Sequence, residues 1–319
     1  MNNPSKITGL KIWLDAADTS TINNGKVVDN GNVFSFRDKV SNIELTNSQG
    51  VNGPSYSIGA VNGRNAISIP YYTDATDVGL KSLSAINVNV LQGFTFSMFC
   101  VYKPTTTTQV NDNGNQKYVV TIYSNTRWTG LTSPGGFANR AIYTGDEGGV
   151  PNATRRLNPS GRYIEADSNV ALGSGWLTYV TYGEHVPSRA LNGPTPTSLN
   201  KTCLTQVRIQ SGLKKMAFSF SGYDFIDDFQ SSRIYNTGGS AGINRGLVNA
   251  GPVRDVGPNA TLIIGSPWPS TPHSPSIRGK TEKLFPLEGF FCEFLYYNRY
   301  LSDSESNSVE AYLKEKWMI

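Results

Sequence analysis

The chain has 319 residues, 38% of them hydrophobic and 11% aromatic, with a formal net charge of +4. That length allows one decorated β-domain or two ordinary ones, and the abundance of Gly, Asn, Ser and Thr suits strands joined by long polar loops. Lys and Arg are scattered among Asp and Glu with no basic stripe, which argues against nucleic acid as the partner.

The start, Met1 to Lys6, lacks the apolar stretch of a signal peptide, and no apolar run has the length of a membrane span. The expectation is a chain made soluble in the cytoplasm, with no membrane insertion. Period-2 alternation then marks strands at Leu10 to Leu14, Val33 to Arg37, Ala66 to Ile69, Phe94 to Tyr102, Lys117 to Tyr123, Trp176 to Tyr182, Leu204 to Gln210, Lys215 to Phe220, Thr261 to Ile264 and Gly289 to Tyr297. Helical periodicity between them is almost absent, which excludes a βαβ architecture. One helix is predicted at the end. Ser302-Asp303-Ser304-Glu305 reads as a capping box, followed by Val309, Tyr312, Leu313 and Trp317 on one face.

Three stretches near 105–116, 222–258 and 266–283 read as long irregular insertions, including the Pro-rich run Pro267 to Pro275. Cys100, Cys203 and Cys292 are odd in number and widely spaced, so buried thiols are expected and a disulfide framework is not.

Both ends carry a recognisable pattern. Gly9-Leu10-Lys11-Ile12-Trp13-Leu14-Asp15-Ala16-Ala17-Asp18, with Val33 to Lys39 and the Asn62-Gly63-Arg64-Asn65-Ala66-Ile67 turn and strand, resembles the start of concanavalin A-like, laminin-G-like jelly-roll domains. Gly289 to Ser302, with Glu305 and Tyr312-Leu313-Lys314-Glu315-Lys316-Trp317, is similar to their end. The resemblance implies an all-β, antiparallel two-sheet jelly-roll sandwich with long loops and one C-terminal α-helix. It also implies a single domain over residues 1–319, whose first and last strands are neighbours. Modules with this opening are common in virion proteins of large DNA viruses and phages and in bacterial surface proteins; the resemblance implies localisation in a virion and a capsid, minor capsid, decoration or tail role, as an association and not as chemistry.

No catalytic constellation stands out. Glucanases of this fold carry a Glu-x-Asp-x-Glu strand, whereas Glu165-Ala166-Asp167 has no second Glu after it. Gly238-Gly239-Ser240-Ala241-Gly242, followed by Asp255 and His273, matches the G-x-S-x-G pattern but sits in a loop of an antiparallel protein, without the strand and helix that a nucleophile elbow needs. The expectation is a protein that is not an enzyme, glycoside hydrolysis being the minority alternative. With only His185 and His273 and no Cys pair at ligand spacing, transition metals have little support. Calcium is weighed at Asp224, Asp227 and Asp228, against a solvated acidic turn.

Sugar binding needs an aromatic ring to stack on a pyranose, with amide or guanidinium groups for its hydroxyls. The candidates are Trp128 beside Arg127, Trp268 between two prolines, and Tyr235 beside Asn236, each weighed against a ring that plugs its own core. Two functional readings follow. One is a non-catalytic structural component of a virus particle, oligomeric or particle-bound, whose long loops grip other virion or capsid proteins. The other is a lectin-like module for cell-surface glycans.

Overall fold

The structure, a computed structural model, describes residues 3–47, 53–70, 82–93, 95–105, 117–124, 139–144, 162–167, 178–182, 201–210, 213–220, 223–228, 232–236, 245–248, 260–265 and 287–319. In chain order its strands are β1 (Leu10–Asp15), β2 (Ser35–Arg37), β3 (Glu44–Thr46), β4 (Ser55–Val61), β5 (Arg64–Ile69), β6 (Leu83–Ala85), β7 (Phe96–Pro104), β8 (Lys117–Ser124) and β9 (Asn139–Thr144). Then follow β10 (Arg162–Asp167), β11 (Thr178–Tyr182), β12 (Cys203–Gln210), β13 (Leu213–Phe220), β14 (Tyr223–Asp228), β15 (Ser232–Asn236), β16 (Arg245–Val248), β17 (Ala260–Ile264), β18 (Gly289–Tyr297) and the helix α1 (Asp303–Trp317).

These strands form two antiparallel sheets. One has eight strands among the described residues, in the order β14-β13-β12-β7-β18-β5-β4, with β1 also on β18; the other has ten, in the order β16-β15-β11-β10-β9-β8-β17-β6-β3-β2. The chain is thus a two-sheet β-sandwich with a C-terminal helix. The terminal strands are direct neighbours, with Ile12 opposite Tyr296 and Leu14 opposite Phe294.

Alternation divides the apolar residues between two cores. Ile12, Leu14, Phe96, Met98, Phe294 and Tyr296 of the first sheet pack with Phe36, Leu45, Ile122, Leu262 and Ile264 of the second. The alternate residues Trp13, Phe99, Val101, Leu295 and Tyr297 lie on the other side of the first sheet, under Val309, Tyr312, Leu313 and Trp317 of α1. A bulge between Phe291 and Glu293 shifts the phase of β18. It lets Phe291 and Phe294 enter the same core although they are three residues apart.

Each local device has a sequence cause. Asn62 and Gly63, with φ of 49° and 74°, make the two-residue turn between β4 and β5 that favours positive φ at both positions. The Asn62 amide then donates to the carbonyl of Trp317 at 2.6 Å, tying that turn to the end of the helix. At the start of β18, a Cβ on Gly289 would collide with the Lys103 carbonyl, so only glycine admits the close approach of β7. At the start of α1 the Ser302 hydroxyl accepts from the Glu305 amide, and the Glu305 carboxylate accepts from the Ser302 amide.

The three cysteines are buried free thiols, and burial pushes the Cys100 and Cys292 thiols well above their usual range. The stretch 222–258, expected to be irregular, instead contains β14, β15 and β16. Those strands have four to six residues each, too few for alternation to stand out from the Gly- and Asn-rich chain around them. The insertions at 106–116 and 266–283 lie outside the described residues. Among the described residues, no helix is long and apolar enough to cross a membrane.

Candidate functional site

Two constellations of polar residues emerge, one buried and one laid across a sheet. The buried one joins β1, β18 and α1. Glu293 is fully buried; its Oε1 accepts from Trp13 Nε1 at 2.7 Å and from the Tyr312 hydroxyl at 3.1 Å, and its Oε2 accepts from Trp317 Nε1 at 2.6 Å. Lys316 Nζ lies 2.8 Å from that same Oε2 and 2.6 Å from Asp15 Oδ1. Lys39 Nζ reaches Asp15 Oδ2 at 3.2 Å and Asp18 Oδ2 at 2.8 Å. Loss of water at Glu293, with the Asp15 charge beside it, raises its carboxyl against the opposing pull of Lys316. Every oxygen of Glu293 has two donors, so the cluster has no capacity left for a ligand. It is a lock between the terminal strands and the helix.

Nearby, the buried Asp38 carboxylate accepts from the backbone amides of Trp13, Val40 and Ser41. Desolvation raises its carboxyl, and those amides offset part of the shift.

The second constellation follows from register. Ala260 and Leu262 belong to the inter-sheet core, so Thr261 between them marks the opposite face of the ten-stranded sheet. Direct cross-strand partners share a face. Thr261 is opposite Tyr123, and Tyr123 is opposite Asn139. The pair Glu165–Arg140 sets Ala166 one step on, beside Asn139. Ala166 is opposite Tyr179, Tyr179 opposite Tyr235, and Tyr235 opposite Arg245. With strands about 4.8 Å apart, the row from Tyr123 to Arg245 spans about 24 Å. It places three tyrosines, an asparagine and an arginine on one face. At the β8–β17 end of this face Thr121, Thr261 and Ile263 are buried.

Of the sugar-binding candidates, Tyr235 and Asn236 stand in β15, not in a loop; Tyr235 is in the row and Asn236 is opposite Thr178 on the other face. Arg127, Trp128 and Trp268 lie outside the described residues, as do Ser240, Asp255, His185 and His273. Sequence reasoning missed Tyr179 and Arg245 as neighbours of Tyr235, because register between β11, β15 and β16 is a non-local property. The alternation in Thr178-Tyr179-Val180-Thr181-Tyr182 was the available signal.

The calcium candidates Asp224, Asp227 and Asp228 all lie in β14, not in an acidic turn. Strand alternation puts Asp227 on the opposite face from Asp224 and Asp228, which are themselves about 13 Å apart along the strand. That spread is not one coordination shell, and Asp228 stands opposite Lys215. Among the described residues, no group of three or more His, Cys, Asp or Glu is arranged to hold a metal ion.

No protein-family model matches the sequence, and no curated protein matches it. Among solved structures, the chain is similar to tailspike protein 2 of the Escherichia coli O157:H7 bacteriophage CAB120, at 11% identity and a TM-score of 0.42, over 81% of this chain and 26% of that one. It is similar to a GH54 α-L-arabinofuranosidase at 15% identity and a TM-score of 0.44, over 88% of this chain and 50% of that one. It is also similar to the SAP-like pentraxin of Limulus polyphemus at 11% identity and a TM-score of 0.35, over 76% of this chain and 80% of that one. The chain spans about a quarter of the tailspike and half of the arabinofuranosidase. Each likeness is distant, and none assigns this chain an activity.

Proposed function

We propose that the chain is a non-catalytic, lectin-like module of a virus particle that holds a glycan on the face of its ten-stranded sheet that carries the tyrosine row. The observation that carries this reading is the register row in which Tyr179, Tyr235 and Arg245 are successive cross-strand neighbours. Tyrosine faces stack on the C–H surface of sugar rings, while amide and guanidinium groups bond their hydroxyls. A non-catalytic role is supported by the two carboxylates of the nearest hydrolase-like pattern. Glu165 and Asp167 alternate with Ala166 and so stand on the face away from the tyrosine row, Glu165 opposite Arg140. The virion setting rests on the resemblance of the two ends of the chain to modules of virus particles.

The test is retention of defined oligosaccharides by the purified chain on a glycan array, repeated with Tyr179→Ala and Tyr235→Ala. Specific retention that both variants lose supports the reading; retention of no glycan rejects it.

A capsid or decoration component contacting other virion proteins is the second reading. The segment from Val28 to Val33 covers the edge of β4, with Tyr56 bonded to Asn30 and Gly31 and the Ile58 amide to Asp29. Along it Val28, Phe34 and Ile58 are exposed by half or more, an apolar strip suited to a neighbouring subunit. Fixed stoichiometry in isolated particles, lost on Val28→Asp with Ile58→Asp, would favour it.

A further inference from the structure

The buried cluster that joins the two ends of the chain holds the parts of a condensation reaction. Asp15 and Glu293 are cross-strand partners on β1 and β18, and Lys316 of α1 bridges them. Lys316 Nζ donates to Asp15 Oδ1 at 2.6 Å and lies 2.8 Å from Glu293 Oε2. An amine thus touches one carboxyl group and, beside it, a second carboxylate able to carry its proton. All three side chains are buried. The walls are aromatic: Trp13 and Tyr312 meet edge to face with ring centroids 6.1 Å apart, and Nζ lies 5.5 Å from the ring centroid of Tyr312 and 5.5 Å from that of Trp317.

The two carboxyl groups are held differently. Lys39 Nζ stands 3.2 Å from Asp15 Oδ2, the oxygen that Lys316 does not bridge. It is therefore placed where negative charge collects when an amine adds to the Asp15 carboxyl carbon. Glu293 is clamped by the Trp13 and Trp317 indoles and the Tyr312 hydroxyl, which keeps its Oε2 beside Nζ. Burial raises the Glu293 carboxyl, which suits it to take up a proton and release it again. An ion pair differs from an amine beside a carboxylic acid by one proton moved along their hydrogen bond. Holding the two in contact, away from water, replaces the encounter of separate reactants.

We propose that Lys316 and Asp15 condense to an intramolecular amide, a covalent staple between the C-terminal helix and the first strand, with Glu293 as the proton carrier. One proton of Nζ passes to Asp15 Oδ1, leaving a free amine and a carboxylic acid. Nζ then attacks Cγ; the C–N bond forms while the π electrons of the carbonyl move onto Oδ2, beside Lys39. Glu293 takes a second proton from Nζ and delivers it to Oδ1, the Cγ–Oδ1 bond breaks, the carbonyl at Oδ2 re-forms, and one water leaves. An ammonium and a carboxylate have become an amide and water, Glu293 ends as it began, and no oxidant or other reactant is consumed. The staple closes the chain from residue 15 to residue 316 into a ring, which restricts the unfolded state as a disulfide does. The three cysteines remain free thiols.

The test is the intact mass of the purified full chain, measured under denaturing conditions at intervals after folding, with peptide mapping. The mass should fall one water below that of the sequence, and digestion should release a branched peptide joining Asp15 to Lys316. Lys316→Arg keeps the charge without a nucleophilic amine and should keep the full mass. Glu293→Gln should slow bridging by about a hundredfold, the contribution of a positioned proton carrier; an unchanged rate would overturn the role given to Glu293. Full mass with no branched peptide overturns the proposal, as does loss of water without a branch, the mark of a side chain cyclised on its own backbone, or a branch from Lys316 to Glu293. If a variant fails to fold, the mass and the branched peptide of the unaltered chain still decide.

Discussion

Asp15 on β1 and Glu293 on β18 are direct cross-strand partners, two buried carboxylates side by side, and Lys316 at the end of α1 lies within 2.8 Å of both. Like charges at such positions destabilise a strand pair unless a counter-charge joins them. The lysine therefore makes the pairing of the chain's two ends conditional on the helix being in place. Lys316→Met should cost about 3–5 kcal/mol in denaturant unfolding, because it leaves the fully buried Glu293 without a counter-charge, while Asp15 keeps Lys39. Glu293→Gln should cost a similar amount, since an amide N–H would face the indole donors. The double variant should lose less than the sum of the two, and additive losses would show that the residues do not act together.

The acid response should be dominated by another carboxylate. Hydrogen bonding to Arg299 holds Glu305 low, at about 2, with help from the Ser302 cap. A carboxyl depressed in the folded state contributes stability above its unfolded value of about 4.3, and the contribution is lost as pH falls through the folded value. Glu293 and Asp38 act in the opposite sense, being raised by burial; what they contribute is present at low pH and lost as pH rises through their folded values. Stability should thus decline between about pH 5 and pH 2, and Glu305→Gln should flatten that limb in pH-dependent thermal denaturation.

Met318 ends the helix in the left-handed region, with φ of 52°, and its side chain is largely exposed. Glycine takes that conformation without a Cβ penalty. Met318→Gly should stabilise the chain by about 1 kcal/mol, read as a higher denaturation midpoint. An unchanged or lower midpoint would mean that the methionine makes compensating contacts.

The sandwich was legible at its ends. Alternation in Phe96 to Tyr102 and Gly289 to Tyr297, and the box Ser302 to Glu305, are local signals of high contrast. Glu293 was not legible as a buried charge. A Glu among Cys292, Phe294 and Leu295 reads as a solvent-facing position, and the bulge that turns it under the helix is set by pairing with β7. The clue available was the pair Lys316-Trp317, a cation amid the apolar stripe of the helix. For the candidate ligand face, Tyr235 reads from the sequence as a loop residue, whereas it stands in β15. Its strand is five residues long and gains its meaning from Tyr179 and Arg245, which are 56 and 10 positions away in the chain.

The most direct test is a crystal structure of the chain with an oligosaccharide that it retains. The account predicts a sugar ring in contact, within about 4 Å, with Tyr179 or Tyr235. A ring seated instead at Trp128, at Trp268 or on the helix side of the eight-stranded sheet would contradict it.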